Sequence, residues 1–236
     1  MAKTKTRATQ KGSDKLLENP EALAEKLTAS EEFLEKNKVA VIGVVAVIVL
    51  VVGGFFGYNY YQSNQNDIAQ SEMFQAIFYF ESDSLDYALN GDGNSYGFRE
   101  IVDQYSGTDA ANLANYYIGA IYLKQGKFEL ATLYLKDFSS SDLLIQARAY
   151  SLIGDAHMEQ QQYSEAAEYY DKAANYKPNK FFTPQYLLKE ALAHEKLNNL
   201  EEAKKCYDEI IEKYWDANEA VQKAKKYKAR LNASAS

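Results

Sequence analysis

Nineteen consecutive residues from Val39 to Gly57, VAVIGVVAVIVLVVGGFFG, carry no charge and no hydrogen-bonding side chain. As a helix rising 1.5 Å per residue the run reaches about 29 Å, close to the roughly 30 Å of a hydrocarbon core. Phe55, Phe56, Tyr58, Tyr60 and Tyr61 close it, an aromatic cluster suited to headgroup level. The pattern predicts one membrane-spanning helix over 39–61. A cleaved signal is a poor fit, because the run starts at residue 39, is too long, and has no Ala-x-Ala after it.

Beyond the span the pattern becomes helical and polar. Residues 62–66 (QSNQN) read as a short polar break. Ile68, Met73, Phe74, Ile77 and Phe78 then recur at helical spacing as far as Glu81. Asn90-Gly91-Asp92-Gly93-Asn94 is a loop by its turn chemistry, and 82–97 is the one long irregular stretch. Phe98, Ile101, Val102 and Tyr105 mark a further helix stopping at Gly107, and Thr108 with Asp109 caps the next. Ahead of the span, residues 1–15 lack apolar periodicity. Asn19-Pro20 opens a short helix there, and Ser30 with Glu31 and Glu32 starts a second one running into the membrane.

A periodicity at a larger scale follows. KQGKFELA (124–131), EQQQYSEA (159–166) and KLNNLEEA (196–203) are spaced 35 and 37 residues apart. Each is a polar turn, an aromatic or Leu, two residues, and an Ala in a second helix. Two helices per repeat of about 34 residues is the tetratricopeptide signature. The middle copy resembles that family closely. Counted from Ala147, Tyr150, Ile153, Gly154 and His157 fall on its first helix, Ala166, Tyr170 and Ala173 on its second, and Pro178 closes it. The copy before carries Ile118, Gly119, Tyr122, Gly126, Phe128 and Ala131. The copy after carries Leu187, Leu200, Ala203, Tyr207 and Ile210, with Ala191 in place of the Gly and Trp215 where Pro is usual. The expected architecture is all-α: a single N-terminal transmembrane helix, then a tetratricopeptide-type α-solenoid over 62–236. Its repeats lie near 67–106 (a degenerate first helix pair), 112–145, 147–180 and 184–217, and a capping helix spans 219–231.

Charge sets the orientation. Residues 1–38 hold eight Lys or Arg and seven acids, and no Lys or Arg follows the span until Arg99. By the positive-inside rule the N-terminal tail is cytoplasmic and the large domain lies across the membrane, in the periplasm of a Gram-negative cell. Residues 58–236 are net −8, which argues against nucleic acid as a partner. Cys206 is the one cysteine, so no intrachain disulfide forms, and an apolar helix pattern makes it a small buried hydrophobe.

The chemistry-bearing residues are few. His157 and His194 both fall at the eleventh position of their repeats, a packing position. No ligand-spaced metal cluster, phosphate-binding loop or nucleophile motif is legible. Read from Asn90 as a calcium loop, the sequence has Ser95 where Gly is needed and Ile101 where Glu is needed. No enzyme activity, cofactor, metal or small-molecule substrate is expected. Lys223, Lys225, Lys226, Lys228 and Arg230 suit a solvated helix end or an acidic partner.

In the tetratricopeptide family the concave groove is lined by the second, fifth, ninth and twelfth positions of each first helix. The resemblance places there Leu113, Tyr116, Ala120 and Leu123; Arg148, Ser151, Asp155 and Met158; and Gln185, Leu188, Leu192 and Glu195. The Lys and Asn of a carboxylate clamp are missing. The lining suits a partner helix or an unfolded segment, unless the chain's own helices cover part of it. The order of parts, with FREIVDQYSGTDAANLANYYIG (98–119), resembles the YfgM-like family of ancillary SecYEG translocon subunits. That resemblance implies protein partners: the translocon, a membrane-anchored peptidyl-prolyl isomerase and unfolded secreted chains. An adapter for outer-membrane or cell-wall assembly is the alternative.

Overall fold

The computed structural model describes residues 20–234, and among them there are eleven helices and no strand. They are α1 (Pro20–Lys36), α2 (Lys38–Glu81), α3 (Leu85–Asn90), α4 (Phe98–Gln104), α5 (Asp109–Lys124), α6 (Phe128–Asp137), α7 (Ile145–Glu159), α8 (Tyr163–Asn175), α9 (Thr183–Lys196), α10 (Leu200–Lys213) and α11 (Asn218–Ser234). The chain divides into two compact units, 1–61 and 62–236. The predicted unstructured stretch 1–15 and the Asn19 cap lie outside the described residues.

In the first unit Pro20 opens α1 at the position where its missing N–H costs nothing. The two helices expected before the span are one, because Ser30 sits inside α1 without breaking it. The apolar run lies within α2, with Val39 79 % and Leu50 74 % exposed and no part of its most apolar window buried. Fourteen exposed apolar side chains within Val39–Gly57 are what lipid, not water, accommodates. This helix is long and apolar enough to cross a membrane.

The expected polar break at 62–66 is absent, and α2 continues unbroken to Glu81. Gln, Ser and Asn weaken a helix only slightly, and with neither Gly nor Pro nothing stops it. Asn66 also has a tertiary role, since its Oδ1 accepts the orphan N–H of Ala110 at 2.9 Å. The irregular stretch 82–97 is shorter than predicted, because α3 occupies part of it. In the remaining loop Asp92 accepts the N–H groups of Asn94 and Ser95 at 2.9 and 2.7 Å and the Tyr79 hydroxyl at 2.8 Å. Its carboxylate closes a turn rather than holding a cation.

The second unit is a stack of helix pairs. Ala69, Met73 and Ala76 of α2 share a core with Phe98 and Ile101 of α4 and Ala114, Ile118 and Ile121 of α5, and the Phe98 and Tyr117 rings stack 4.7 Å apart. From α5 onward each first helix returns through a tight turn into a second. The three turns share one backbone form: Gly126, Gln161 and Asn198 all adopt left-handed φ, at 72°, 61° and 60°. In each, the N–H three residues after the helix end reaches back to the last-turn carbonyl of Tyr122, His157 or His194.

One contact recurs inside the pairs. A Cβ at Gly119 would stand 2.5 Å from Leu135 Cγ, and one at Gly154 would stand 2.6 Å from Tyr170 Cε1. The third pair sets Ala191 and Tyr207 at the equivalent positions, in one core, both nearly inaccessible. Each second helix drives one large side chain against a small residue, which fixes how closely the pair crosses. Val221, Ala224 and Leu231 of α11 bury Tyr207 and Ile210 at the C-terminal end.

The Tyr170 ring cannot swing aside freely, because its hydroxyl donates to Asp155 at 2.7 Å. Gly154→Ala is therefore expected to cost about 1–3 kcal/mol of unfolding free energy by overpacking. Urea unfolding followed by circular dichroism measures it, and an unchanged midpoint would refute this account of the crossing.

Candidate partner-binding groove

The spacing i, i+3, i+7, i+10 puts four residues of a helix on one face. On α5, α7 and α9 this gives the twelve groove positions named from the sequence. Arg148, Gln185 and Leu192 are exposed. Leu113, Ala120, Leu123, Asp155, Met158, Leu188 and Glu195 are half-buried, and Tyr116 and Ser151 are buried.

The α5 row belongs largely to the core. Tyr116 packs its ring 5.4 Å from Phe138 and 5.7 Å from Tyr117. Burial raises its phenol above the ordinary tyrosine value, and the neighbouring Arg148 guanidinium pulls the other way. Leu113 and Leu123 flank the same apolar clusters.

The α7 row is tied to the next repeat by a residue that the groove positions did not include. Lys189 of α9 donates to both Asp155 oxygens at 2.8 Å and to Ser151 Oγ at 3.1 Å. Both charged side chains are half-buried, at 40 and 29 % exposure. With the Tyr170 hydroxyl also on Asp155, the carboxylate accepts three hydrogen bonds from two donor groups. Burial and then Asp155 push the Tyr170 phenol far up, so the tyrosine stays a donor at any physiological pH. An acid with a Lys 34 residues on, one repeat later, is the signal that could have revealed this bridge.

The α9 row meets the C-terminal helix. Glu195 accepts from the Tyr207 hydroxyl at 2.6 Å and from Arg230 of α11. Gln185, Leu188, Lys189, Leu192 and Glu195 line a cavity of about 330 Å³ with Tyr207, Lys223, Tyr227 and Arg230. Two of the basic residues assigned to the end of α11 thus face the groove. A larger cavity, about 680 Å³, lies between α6, α7, α8 and the 138–141 loop, with Lys136, Tyr169 and Lys172 on its wall. None of the twelve positions lines it.

The structure also assembles a cluster that the spacing did not reveal. Glu190 and His194 of α9 and Cys206 of α10 bring one potential ligand atom each within 4.8 Å of one another. The expectation of no such grouping is corrected: Glu190 and His194 are four apart on one helix face, and only helix packing adds Cys206. Burial pushes the Glu190 carboxyl up to about 7, reinforced by Asp171, Glu209 and Glu202 and opposed by the Cys206 thiol. Burial pushes His194 down. His194 Nε2 lies 3.7 Å from Glu190 Oε1, an ion-pair distance, yet both shifts favour the neutral forms. We read the contact as neutral. Burial also raises the Cys206 thiol, so it remains protonated and donates to Glu190. Within the cluster the hydrogen bond is the one between Cys206 and Glu190, and the buried His194 Nδ1 has no partner among the described residues. His157 is likewise a packing residue, stacked on Tyr169 at 5.5 Å with Nδ1 2.6 Å from Gln162 Oε1.

A raised carboxylate has a definite consequence for stability. With Glu190 at about 7 when folded and 4.5 when unfolded, the native state holds the proton more tightly, so this group lowers stability as pH rises between those values. Glu190→Gln removes the penalty. The variant's stability relative to the parent is expected to grow from pH 4.5 to 7, by on the order of 3 kcal/mol, and to level off above. Urea unfolding of both proteins across this range tests it, and a pH-independent difference would overturn it.

Comparison with known families gives two matches. A tetratricopeptide repeat model matches residues 147–180, the α7–α8 pair, and a second tetratricopeptide repeat model matches residues 185–214, the α9–α10 pair. No curated protein matches the chain.

Proposed function

We propose that this tetratricopeptide repeat protein is a membrane-anchored, non-enzymatic scaffold whose groove binds protein partners. The observation that carries the reading is the pairing of two features on one chain. One is the uncovered apolar run of α2, which serves as the anchor. The other is a groove of mixed chemistry, in which exposed Arg148, Gln185 and Leu192 stand beside half-buried Leu188 and Met158. Such a surface favours many weak contacts with an amphipathic helix or an extended segment. Anchoring compensates for weak contacts by raising the local concentration of domain and partner.

In the finer reading, the N-terminal tail is cytoplasmic and the repeat domain periplasmic. The protein then acts beside the Sec translocon, where it receives or hands over emerging chains next to an anchored peptidyl-prolyl isomerase. The basic flank before the span and the resemblance of residues 98–119 support this reading. Envelope assembly for the outer membrane or cell wall is the second reading, favoured by the same anchored groove.

Photocrosslinkers at Arg148 and Leu192 in the intact chain, in cells, distinguish the two. Translocon subunits or an anchored isomerase are the expected products. Envelope-assembly proteins in their place would sink the translocon reading and leave the scaffold. Crosslinks to neither, with abundant crosslinks from the outer faces of α6 and α8, would sink the groove itself.

A further inference from the structure

The loops that join one helix pair to the next differ sharply from the turns inside the pairs. The inside turns are Gln-Gly-Lys (125–127), Gln-Gln-Gln (160–162) and Leu-Asn-Asn (197–199), and they expose no large apolar side chain. The joining loops expose Leu143 and Leu144, Phe181 and Phe182, and Trp215, with Phe181 72 % and Trp215 73 % accessible. All three loops therefore break the usual loop chemistry in the same sense.

These loops form one row. The Tyr176 hydroxyl donates to Ser140 O at 2.8 Å, and Lys177 donates to Ser141 O, joining the first loop to the second. Lys180 and Asp216, 3.1 Å apart, join the second to the third. Towards the N-terminus, Asn112 exchanges two hydrogen bonds with the main chain of Ser139, at 2.8 and 3.0 Å. From there the row reaches the start of α5, where Ala110 is bonded to Asn66, and a Cβ at Gly107 would lie 2.9 Å from Gln62 Nε2. The chain enters this unit at Gln62, directly after Tyr58, Tyr60 and Tyr61. The edge that exposes Leu, Phe and Trp is thus the edge at which the chain arrives from its apolar run. At the opposite edge Lys124 pairs with Asp83 at 2.8 Å.

We propose that this edge rests in the headgroup layer of the membrane, with Leu143, Leu144, Phe181, Phe182 and Trp215 dipping into the interface. Trp and Phe favour that layer, and Lys side chains such as Lys177 and Lys180 reach its phosphates. Water-exposed large apolar side chains in three successive loops would otherwise be a liability. The inference rests on the reading of α2 as a membrane anchor.

Trp215 is the sole tryptophan, so it reports directly. The full-length chain is reconstituted into phosphatidylcholine vesicles with plain or brominated acyl chains, and flotation is checked first. A chain that does not float defeats the anchor and this inference together. In a floating chain, Trp215 emission is expected to lie to the blue of the unfolded chain and to drop about twofold with brominated lipid. Phe181→Ser with Leu144→Ser should weaken that quenching. Flotation with no quenching overturns the edge contact and leaves the anchor standing. A blue shift without quenching that disappears when protein is diluted in lipid means a second copy covers the edge, which also overturns it.

Discussion

The close approach of a first helix to its second helix governs the soluble unit. Leu135 over Gly119 and Tyr170 over Gly154 are one contact made twice, and Ala191 and Tyr207 occupy the equivalent positions in the core of the third pair. A small residue allows the second helix to approach, and the large residue fills the space between them, so the pair has one crossing geometry rather than a range. Repetition of that geometry makes the stack and, with it, the concave row on α5, α7 and α9. The same residues reach the groove. The Tyr170 hydroxyl emerges on Asp155 and the Tyr207 hydroxyl on Glu195, so the crossing contact also positions the groove's carboxylates.

Those carboxylates are already engaged. Lys189 bridges Ser151 and Asp155 across repeats, and Arg230 of α11 reaches Glu195. In the proposed binding reading, a partner would therefore meet paired carboxylates rather than bare acids at Asp155 and Glu195. Half-buried pairs of this kind are worth modest net energy, because desolvation offsets the Coulomb gain. Their clearer effect is on geometry, since Lys189 links α9 to α7 directly. Arg148, Gln185 and Leu192 are the exposed remainder of the row.

Glu190 shows a different use of burial. Several acids lie near it, and the Cys206 thiol is the donor that opposes its upward shift. The carboxyl is tolerated because it can hold its proton close to neutral pH. His194 and Cys206 beside it are pushed in directions that keep them neutral too. Glu190 and Cys206 are thus held in their protonated, least ligand-like forms, while His194 is held as the neutral imidazole, the form that ligates.

The sequence by itself determined the apolar run, the helical class and the repeat. A membrane-length run is a one-dimensional fact, and the repeat shows in Gly154, Ala166 and Tyr170 because each packs against its own pair. The Thr108 cap was legible for the same reason: its Oγ1 accepts from Ala111 N, three residues away, at 3.1 Å. What lay between repeats was not legible. The continuity of α2 through 62–66 depends partly on Asn66 capping Ala110, 44 residues on. Lys189 on Asp155, Arg230 on Glu195, and Cys206 against Glu190 all join residues on different helices. Helix periodicity states which face a residue occupies but not which side chain of a neighbouring helix it meets, and that only the tertiary packing decided. The row of exposed loops is the extreme case, since Leu144, Phe182 and Trp215 become neighbours only when antiparallel helix pairs bring every second loop to one edge.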